Sequence, residues 1–477
     1  MCNVRAAGLL AMLSLAGCAS LAPRLPEPDP AIPIEWPLPA TALEANVAVA
    51  DVSGTTPATA ATADIGWRDF FVDPALNELI SRALANNRDL RTAALNIERA
   101  RALYRIQRAD LLPTLVVGAS ATRSGGDGAG TVPQVYSVSL GISAFELDFF
   151  GRVRDLSRAA LQQYLAQEEV RRSVQLSLIA EVANVYLTLA VDQALLQVAE
   201  ATLKSQSEAF RLTERRHELG AVSGLEVAQE RTTVENARAD AARFAGLVAL
   251  DVNALQLVIG APVERALWPK TFDTSVMGLA HLPAGLPSEV LLRRPDVLAA
   301  ESRLRAANAN IGAARAALFP SIRLTASAGT ASEDLSGLFN SGSRFWSLSP
   351  QISLPIFDAG RLRANVDVAT ADQDIALSQY ERTVQVGFRE IADALALTRT
   401  LAAQREAQQA LVEAATQAHE LSLARYQAGR DSYLVQLVAQ RTLFVAQQTL
   451  LSTRLAEQTN RVTLYKVLGG GWYEQSR

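Results

Sequence analysis

The sequence predicts a mainly α-helical protein that also carries a membrane β-barrel, with one strand–long helix–short helix unit used twice. Three observations lead there. The first is a proline-free stretch from Gly360 to Gly471, broken once near Gln427-Ala428-Gly429-Arg430. Its first part, Arg361 to Gln427, is mostly Ala, Leu, Gln, Glu, Arg and Val, good helix formers in the main. Val384, Phe388, Ile391 and Leu395 recur at three- and four-residue steps, the mark of one buried helical stripe. At ~1.5 Å per residue this run would extend roughly 100 Å, so it needs neighbours of similar length to pack along.

The second observation supplies those neighbours. Gly151 and Gly360, Gly220 and Gly429, and Gly260 and Gly469 are each separated by 209 positions. Upstream, Arg88-Asp89-Leu90 corresponds to Arg294-Pro295-Asp296-Val297, and Leu112-Pro113 to Phe319-Pro320, at an offset of 207. So constant an offset is an internal duplication. The third observation is alternation of apolar with small polar residues in four short runs, the period of strands with one apolar and one wet face.

In chain order, Ala6 to Leu15 is apolar but too short to cross a bilayer. It leads into Leu15-Ala16-Gly17-Cys18, which resembles a bacterial lipoprotein signal and makes Cys18 the acylated N-terminus; an ordinary secretory signal with an incidental cysteine is the alternative. Ala19 and Ser20 follow rather than an aspartate, and the resemblance then implies sorting to the outer membrane. Cys2 is the other cysteine, so a chain cleaved before Cys18 keeps no further thiol for a disulfide or metal. Leu21 to Ala63 is rich in Pro, Ala and Thr and reads as an extended, partly disordered linker.

Trp67 to Leu84 reads as a short helix and Asp89 to Leu111 as a second, stopped by Pro113. In Thr114–Thr122, Leu115, Val117, Ala119 and Ala121 alternate with Thr114, Gly118, Ser120 and Thr122. After the loop 124–128, Tyr136, Val138, Leu140, Ile142 and Ala144 alternate with serines and glycine. Long and short helices are expected over Arg152–Leu219 and Leu225–Ile259. The second unit repeats the order: a short helix at Leu286–Arg293, a longer one at Asp296–Leu318, and a strand with Ile322, Leu324, Ala326 and Ala328 on one face. A Gly/Ser loop at Glu333–Ser343 precedes a last strand, with Trp346, Leu348, Ile352, Leu354 and Ile356 apolar and Pro350 and Pro355 weakening it. The domain organisation that follows is 1–17 signal, 18–66 acylated N-terminus and linker, 67–262 first repeat, 263–285 connector, 286–471 second repeat and 472–477 tail.

Each strand has about the length needed to cross a bilayer at a tilt. Four strands cannot close a barrel, and an open edge in lipid strands backbone groups at several kcal/mol each. Several copies must therefore share one barrel, with the apolar faces toward lipid and Ser, Thr and Gly toward water. A soluble α+β protein with two hairpins is the competing reading.

Composition narrows the function. A net charge of −4 gives no reason to expect nucleic acid as partner. Aromatic content of 6 % with abundant alanine suits close helix packing better than a thick globular interior. His217, His281 and His419 lie far apart without a companion at ligand spacing, so no metal and no cofactor is expected. Glu168-Glu169 and Asp372/Asp374 are helix-surface charges without a supporting cluster, and no phosphate loop or nucleophile elbow is present, so the chain does not read as an enzyme. Phe345, Trp346 and Tyr136 near strand ends are candidates for a membrane interface or for ordinary packing.

The duplicated unit, together with Ala424-Arg425-Tyr426-Gln427-Ala428-Gly429, Leu437-Val438-Ala439-Gln440-Arg441 and Leu464-Tyr465-Lys466-Val467-Leu468-Gly469-Gly470-Gly471-Trp472, resembles the outer-membrane efflux proteins, the TolC-like channels, nearest to the acylated NodT-type group. Gly224-Leu225-Glu226-Val227-Ala228-Gln229 is the first-repeat counterpart. The resemblance covers nearly everything after Trp67. It implies a homotrimer with a twelve-strand barrel continuing into a twelve-helix periplasmic tunnel, docked on a periplasmic adaptor protein and an inner-membrane RND-type pump. It also implies turns at Gly220 and Gly429 at the tip, and barrel-to-helix junctions at Gly151-Arg152 and Gly360-Arg361. Leu434 matches a constricting leucine; Val435 and Val438 stand where the family often has aspartates, lining an apolar aperture or packing between helices. Tyr426 and Glu226 match a clasp that holds the tip shut, with Glu230, Arg425 and Arg441 able to add ion pairs or simply to be solvated. The function so implied is a passive exit duct for small molecules. An outer-membrane part of type I protein secretion and a lipid-anchored periplasmic scaffold are the alternatives.

Overall fold

The computed structural model describes residues 20–33, 65–123, 134–270, 272, 288–470 and 473–475, with backbone alone for 288–290. Cys18, His281, the loop 124–128 and most of the expected linker lie outside the described residues. Among the described residues, eight α-helices and four strands follow one another: α1 (Trp67–Phe70), α2 (Pro74–Asn86), α3 (Arg88–Ala109), β1 (Leu115–Arg123), β2 (Gln134–Leu147), α4 (Arg152–Glu218), α5 (Gly224–Ile259), α6 (Pro295–Ala316), β3 (Ser321–Ser332), β4 (Arg344–Ser353), α7 (Arg361–Gln427) and α8 (Tyr433–Val467). Both long helices, α4 and α7, have 67 residues.

The duplication is visible in the backbone. Gly151, Gly220 and Gly260 have φ of 83°, 73° and 76°, and their counterparts Gly360, Gly429 and Gly469 have 86°, 68° and 79°. A second correspondence was not legible in the sequence. The Asn87 amide donates to the carbonyl of Val258 at 2.8 Å, and the Arg294 guanidinium donates to the carbonyl of Val467 at 3.0 Å. Different side chains at matching positions thus hold matching helix ends. Asn87 also accepts from the N–H groups of Asp89 and Leu90, capping α3, while Arg294 grips Asp296 at 2.7 Å and Glu390 at 2.8 Å.

The chain forms two compact units that draw on both repeats. The first contains the sheet, a four-stranded antiparallel meander in the order β1-β2-β3-β4. The register puts Val117 opposite Leu140, Leu140 opposite Ala328, and Ala328 opposite Trp346, so an apolar row crosses all four strands on one face. On the other face Ser120 and Ser137 share a hydrogen bond at 2.8 Å, as do Ser327 and Ser347. The alternation expected for β2 fails at its end. A bulge between Ile142 and Phe145 leaves Ala144 at φ 51° instead of on the apolar face. Phe145 and Leu147 then join the apolar face and Glu146 turns to the polar one opposite Arg323. Pro350 lies inside β4, opposite Leu324, on an outer strand where a missing donor is tolerated.

Residues 20–33 form no helix or strand, but the expected free linker is in part a docked strap. Ser20 donates to the fully buried carboxylate of Asp155 at 2.8 Å; Asn308 donates to the carbonyl of Pro23 at 3.1 Å and Arg315 to that of Leu21 at 3.3 Å. A side chain at Gly312 would collide with Asp155 and Ala22, so glycine makes room for this contact.

The second unit holds the main apolar cluster, including Trp67, Phe70, Leu79, Ile80, Ile179, Val182, Tyr186, Leu255, Ile259 and Tyr465. Phe70 stacks on Tyr465 with centroids 3.8 Å apart. Tyr465 donates to the carbonyl of Ile65 at 2.7 Å, and Tyr186 to Asp73 at 2.9 Å, so both buried phenols are satisfied. Asp73 also caps α2 ahead of Pro74. This explains two departures from expectation. The single helix expected over 67–84 is split into α1 and α2 by the Asp73-Pro74 start signal. The short helix expected at 286–293 is of the 3₁₀ type over Ser288–Arg293, ended by Pro295 opening α6. The stripe on α7 is confirmed at Val384 and Ile391, which are 1 % and 0 % exposed. Helices α4 and α5 each hold a stretch apolar and long enough to span a membrane by composition; that of α4 is mostly buried within the protein, that of α5 mostly exposed.

Replacing Asn87 by Ala removes a cap and leaves the carbonyl of Val258 unpaired, and is expected to destabilise the second unit by about 2–4 kcal/mol. Thermal unfolding followed by circular dichroism checks this; a loss below about 0.5 kcal/mol would contradict the role given to Asn87.

Candidate functional site

Two helical hairpin turns gather the site residues in the second unit. At the end of α4, Gly220 donates to the carbonyl of His217 at 2.8 Å and Ala221 to that of Arg216 at 2.8 Å. At the end of α7, Gly429 donates to Tyr426 at 2.9 Å and Arg430 to Arg425 at 2.9 Å. These are paired Schellman caps, which require the left-handed residue that glycine provides. Ser223 and Ser432 then open α5 and α8, with the Ser223 hydroxyl accepting from the N–H of Glu226 at 3.3 Å.

Tyr426 on α7 reaches across to α5, where its hydroxyl donates to Glu226 at 3.3 Å. The same hydroxyl accepts from the Arg216 guanidinium of α4 at 3.2 Å. The sequence shows Arg215-Arg216 only as a basic pair too brief for a nucleic-acid patch; no local pattern joins Arg216 to this contact, because its partner lies 210 residues away. The neighbours of this contact differ from the expected ion pairs. Arg425 is held bidentate by Asp431 at 2.6 and 2.8 Å, and stays within its own turn. Asp431 is held below its usual range by that guanidinium. Arg441 is exposed and makes no ion pair among the described residues. Glu230 is not ion-paired either: it is 1 % exposed, with one carboxylate oxygen lacking a hydrogen-bond partner.

Burial pushes the Glu230 carboxyl above its ordinary range and the Glu226 charge adds to this, while the hydroxyls of Tyr433 and Thr213 offset part of it. Burial, and then Glu230, raise the Tyr433 phenol. On the opposite side of α8, Leu434, Val435 and Val438 are 61 %, 49 % and 56 % exposed, whereas Tyr433 and Leu437 are buried. The valines therefore do not pack between helices of one chain.

The two strand-to-helix junctions lie in the first unit. Arg152 grips Glu146 bidentate at 2.7 and 2.6 Å, and Asp148 accepts from the N–H of Arg154 at 2.9 Å, closing the start of α4. At the second junction Asp358 accepts from the N–H groups of Gly360 at 3.0 Å and Leu362 at 2.9 Å. Gly151 and Gly360 are equivalent, but Arg361 is exposed and has no partner matching that of Arg152 among the described residues. Trp346 is 79 % exposed on the apolar face of the sheet, the environment of an interfacial aromatic rather than of a core one. The described residues contain no cluster of His, Cys, Asp or Glu able to hold a metal ion.

A duplicated chain with an apolar-faced β-meander and two paired long helices defines a class of outer-membrane channel. Comparison with known proteins agrees. Residues 79–261 and 286–470 match the family model described as Outer membrane efflux protein. The chain is 47 % identical over 469 residues to the probable efflux pump outer membrane protein TtgC of Pseudomonas putida, covering 97 % of this chain and 94 % of the relative. It is 42 % identical to the cation efflux system protein CusC of Escherichia coli, covering 97 % of each. Its structure superposes on the open state of the Neisseria gonorrhoeae MtrE outer membrane channel with a TM-score of 0.86 and 38 % identity, over 96 % of this chain and 100 % of that one. The chain belongs to the outer membrane efflux protein family. It is an outer-membrane component of an efflux pump and a transport duct, not an enzyme.

Protonation should control the contact around Glu230. A carboxyl raised by burial makes the packed state most stable below the solvated carboxyl's titration. That stability declines as pH rises through the window between the solvated and the raised value. Hydrogen-exchange protection of 210–235, corrected for the intrinsic pH dependence of exchange, is expected to be higher at pH 5 than at pH 8. Glu230→Gln should flatten that difference. Equal protection at both pH values in the unaltered protein would contradict it.

Proposed function

We propose that three copies of this chain form one exit duct, with a twelve-strand barrel in the outer membrane continued by a twelve-helix periplasmic tunnel. The observation that carries this reading is the sheet: four strands, an apolar face left exposed at Val117, Leu348 and Ile352, and outer strands β1 and β4 each paired on one side only. In lipid, an unpaired strand edge costs several kcal/mol per backbone group, and closure with further copies removes that cost. Leu250 and Leu257 on α5, 63 % and 79 % exposed, likewise need a covering neighbour. The family membership supports the same assembly.

In this reading Cys18 carries the lipid that anchors the chain to the outer membrane, and the strap 20–33 ties that anchor to α4, α6 and α7. The partners are a periplasmic adaptor protein and an inner-membrane pump of the RND type, which supplies the energy. Relatives named for toluene, antibiotic and cation efflux share this scaffold, so the cargo is set by the pump rather than by the duct. Leu434, Val435 and Val438 form the periplasmic aperture as an apolar ring, and the contact of Tyr426 with Glu226 and Arg216 holds it narrow.

Purified protein in planar bilayers is expected to give discrete conductance steps. Tyr426→Phe and Glu226→Gln each remove a charge-assisted hydrogen bond worth about 1–3 kcal/mol, and should raise the conductance. Steps of unchanged size in both variants would remove the clasp; an absence of steps in the unaltered protein would remove the duct.

A further inference from the structure

Between Tyr433 and Val445 the aperture helix carries one charged side chain, Arg441. On α8, Leu434, Val438, Arg441 and Val445 fall within about 60° of arc at ~100° per residue, so they share one face. Leu434, Val438 and Val445 are 61 %, 56 % and 59 % exposed, and Arg441 is exposed with them. The duplication supplies the matching face of α5: Leu225, Gln229, Thr232 and Asn236, each 209 positions earlier, all exposed and all uncharged. Neither face contains a carboxylate.

Several of the charges around the turns pair among themselves. Arg425 is taken by Asp431 at 2.6 Å, Arg215 by Glu218 at 2.8 Å and Arg238 by Glu235 at 2.8 Å. Asp240 lines the same 330 Å³ cavity as Arg441, but it is held by Arg243 at 3.2 Å. Glu230 lies buried on the other side of the helix pair. Arg441 has no hydrogen bond or ion pair among the described residues, so its guanidinium acts on whatever passes.

We infer that Arg441 sets the charge preference of this duct, making its aperture favour anionic over cationic solutes of small size. The inference rests on the trimeric duct reading. Three copies place three guanidinium groups two turns of helix inside the apolar ring of Leu434 and one turn inside that of Val438. A ring of arginines raises the local concentration of anions and depletes cations within about a Debye length, ~10 Å at 0.1 M salt. The apolar residues on either side strengthen the field by lowering the local dielectric.

Reversal potentials under a potassium chloride gradient test this directly. The unaltered protein is expected to pass chloride in preference to potassium, with the preference larger at 0.1 M than at 1 M salt. Arg441→Gln should lower the chloride-to-potassium permeability ratio roughly two- to fivefold, and Val438→Asp should move it further toward cations. A ratio unchanged in Arg441→Gln, or cation preference in the unaltered protein, overturns the inference while leaving the duct in place. No conductance at all would overturn the duct reading, and this inference with it.

Discussion

The proposed assembly depends on the pairing of backbone groups at the outer edges of β1 and β4. A sheet of four strands with one apolar face can be stable in water only if that face is covered, and in lipid only if its edges are paired. Here the apolar face is open and runs unbroken from Val117 through Leu140 and Ala328 to Trp346. The opposite face is lined with serine and glycine, whose small size lets hydroxyls pair across strands without filling the interior. In the proposed trimer these two faces meet lipid on one side and water on the other, and identical chains pair the open edges.

The helices follow from the same economy of reuse. One unit, duplicated, supplies both long hairpins, and three glycine pairs at a common offset mark where each leaves its strand, reverses and ends. The duplication has not kept the two halves alike. Asn87 and Arg294 hold equivalent helix ends by different chemistry, and Arg152 is tied to Glu146 where Arg361 is solvent-exposed. The turns differ too: Tyr426 of the second repeat contacts Glu226 and Arg216 of the first, so the asymmetry between repeats is what creates a contact able to hold the hairpins together.

Much of this architecture was legible in the sequence because its signals are long. Proline-free runs, a constant repeat offset and period-two alternation persist over many residues, and they place the long helices and the strand cores to within a few positions. What was not legible depends on single contacts. The bulge that turns Ala144 aside, the split between α1 and α2 at Asp73-Pro74, and the 3₁₀ segment before Pro295 are local events that periodicity averages away. At the turns, Tyr426, Glu226, Leu434, Val435 and Val438 were singled out through the family resemblance; the Tyr426–Glu226 hydrogen bond and the exposure of the other three are what the structure adds. Arg216 and the buried state of Glu230 could not be read, because both are set by which helix faces meet. The docking of residues 20–33 was hidden for a different reason: two of its hydrogen bonds use the backbone carbonyls of Leu21 and Pro23, which carry no sequence signature, and its side-chain bond joins Ser20 to a residue 135 positions away.

The mass of the protein extracted in mild detergent is the most direct measure of the edge-pairing constraint. Native mass spectrometry, or light scattering corrected for bound detergent, should give about three times the mass of the single chain, which is 51.1 kDa before any processing. A stable single subunit with its four strands intact would contradict the account, since the open edges of β1 and β4 would then need no partner.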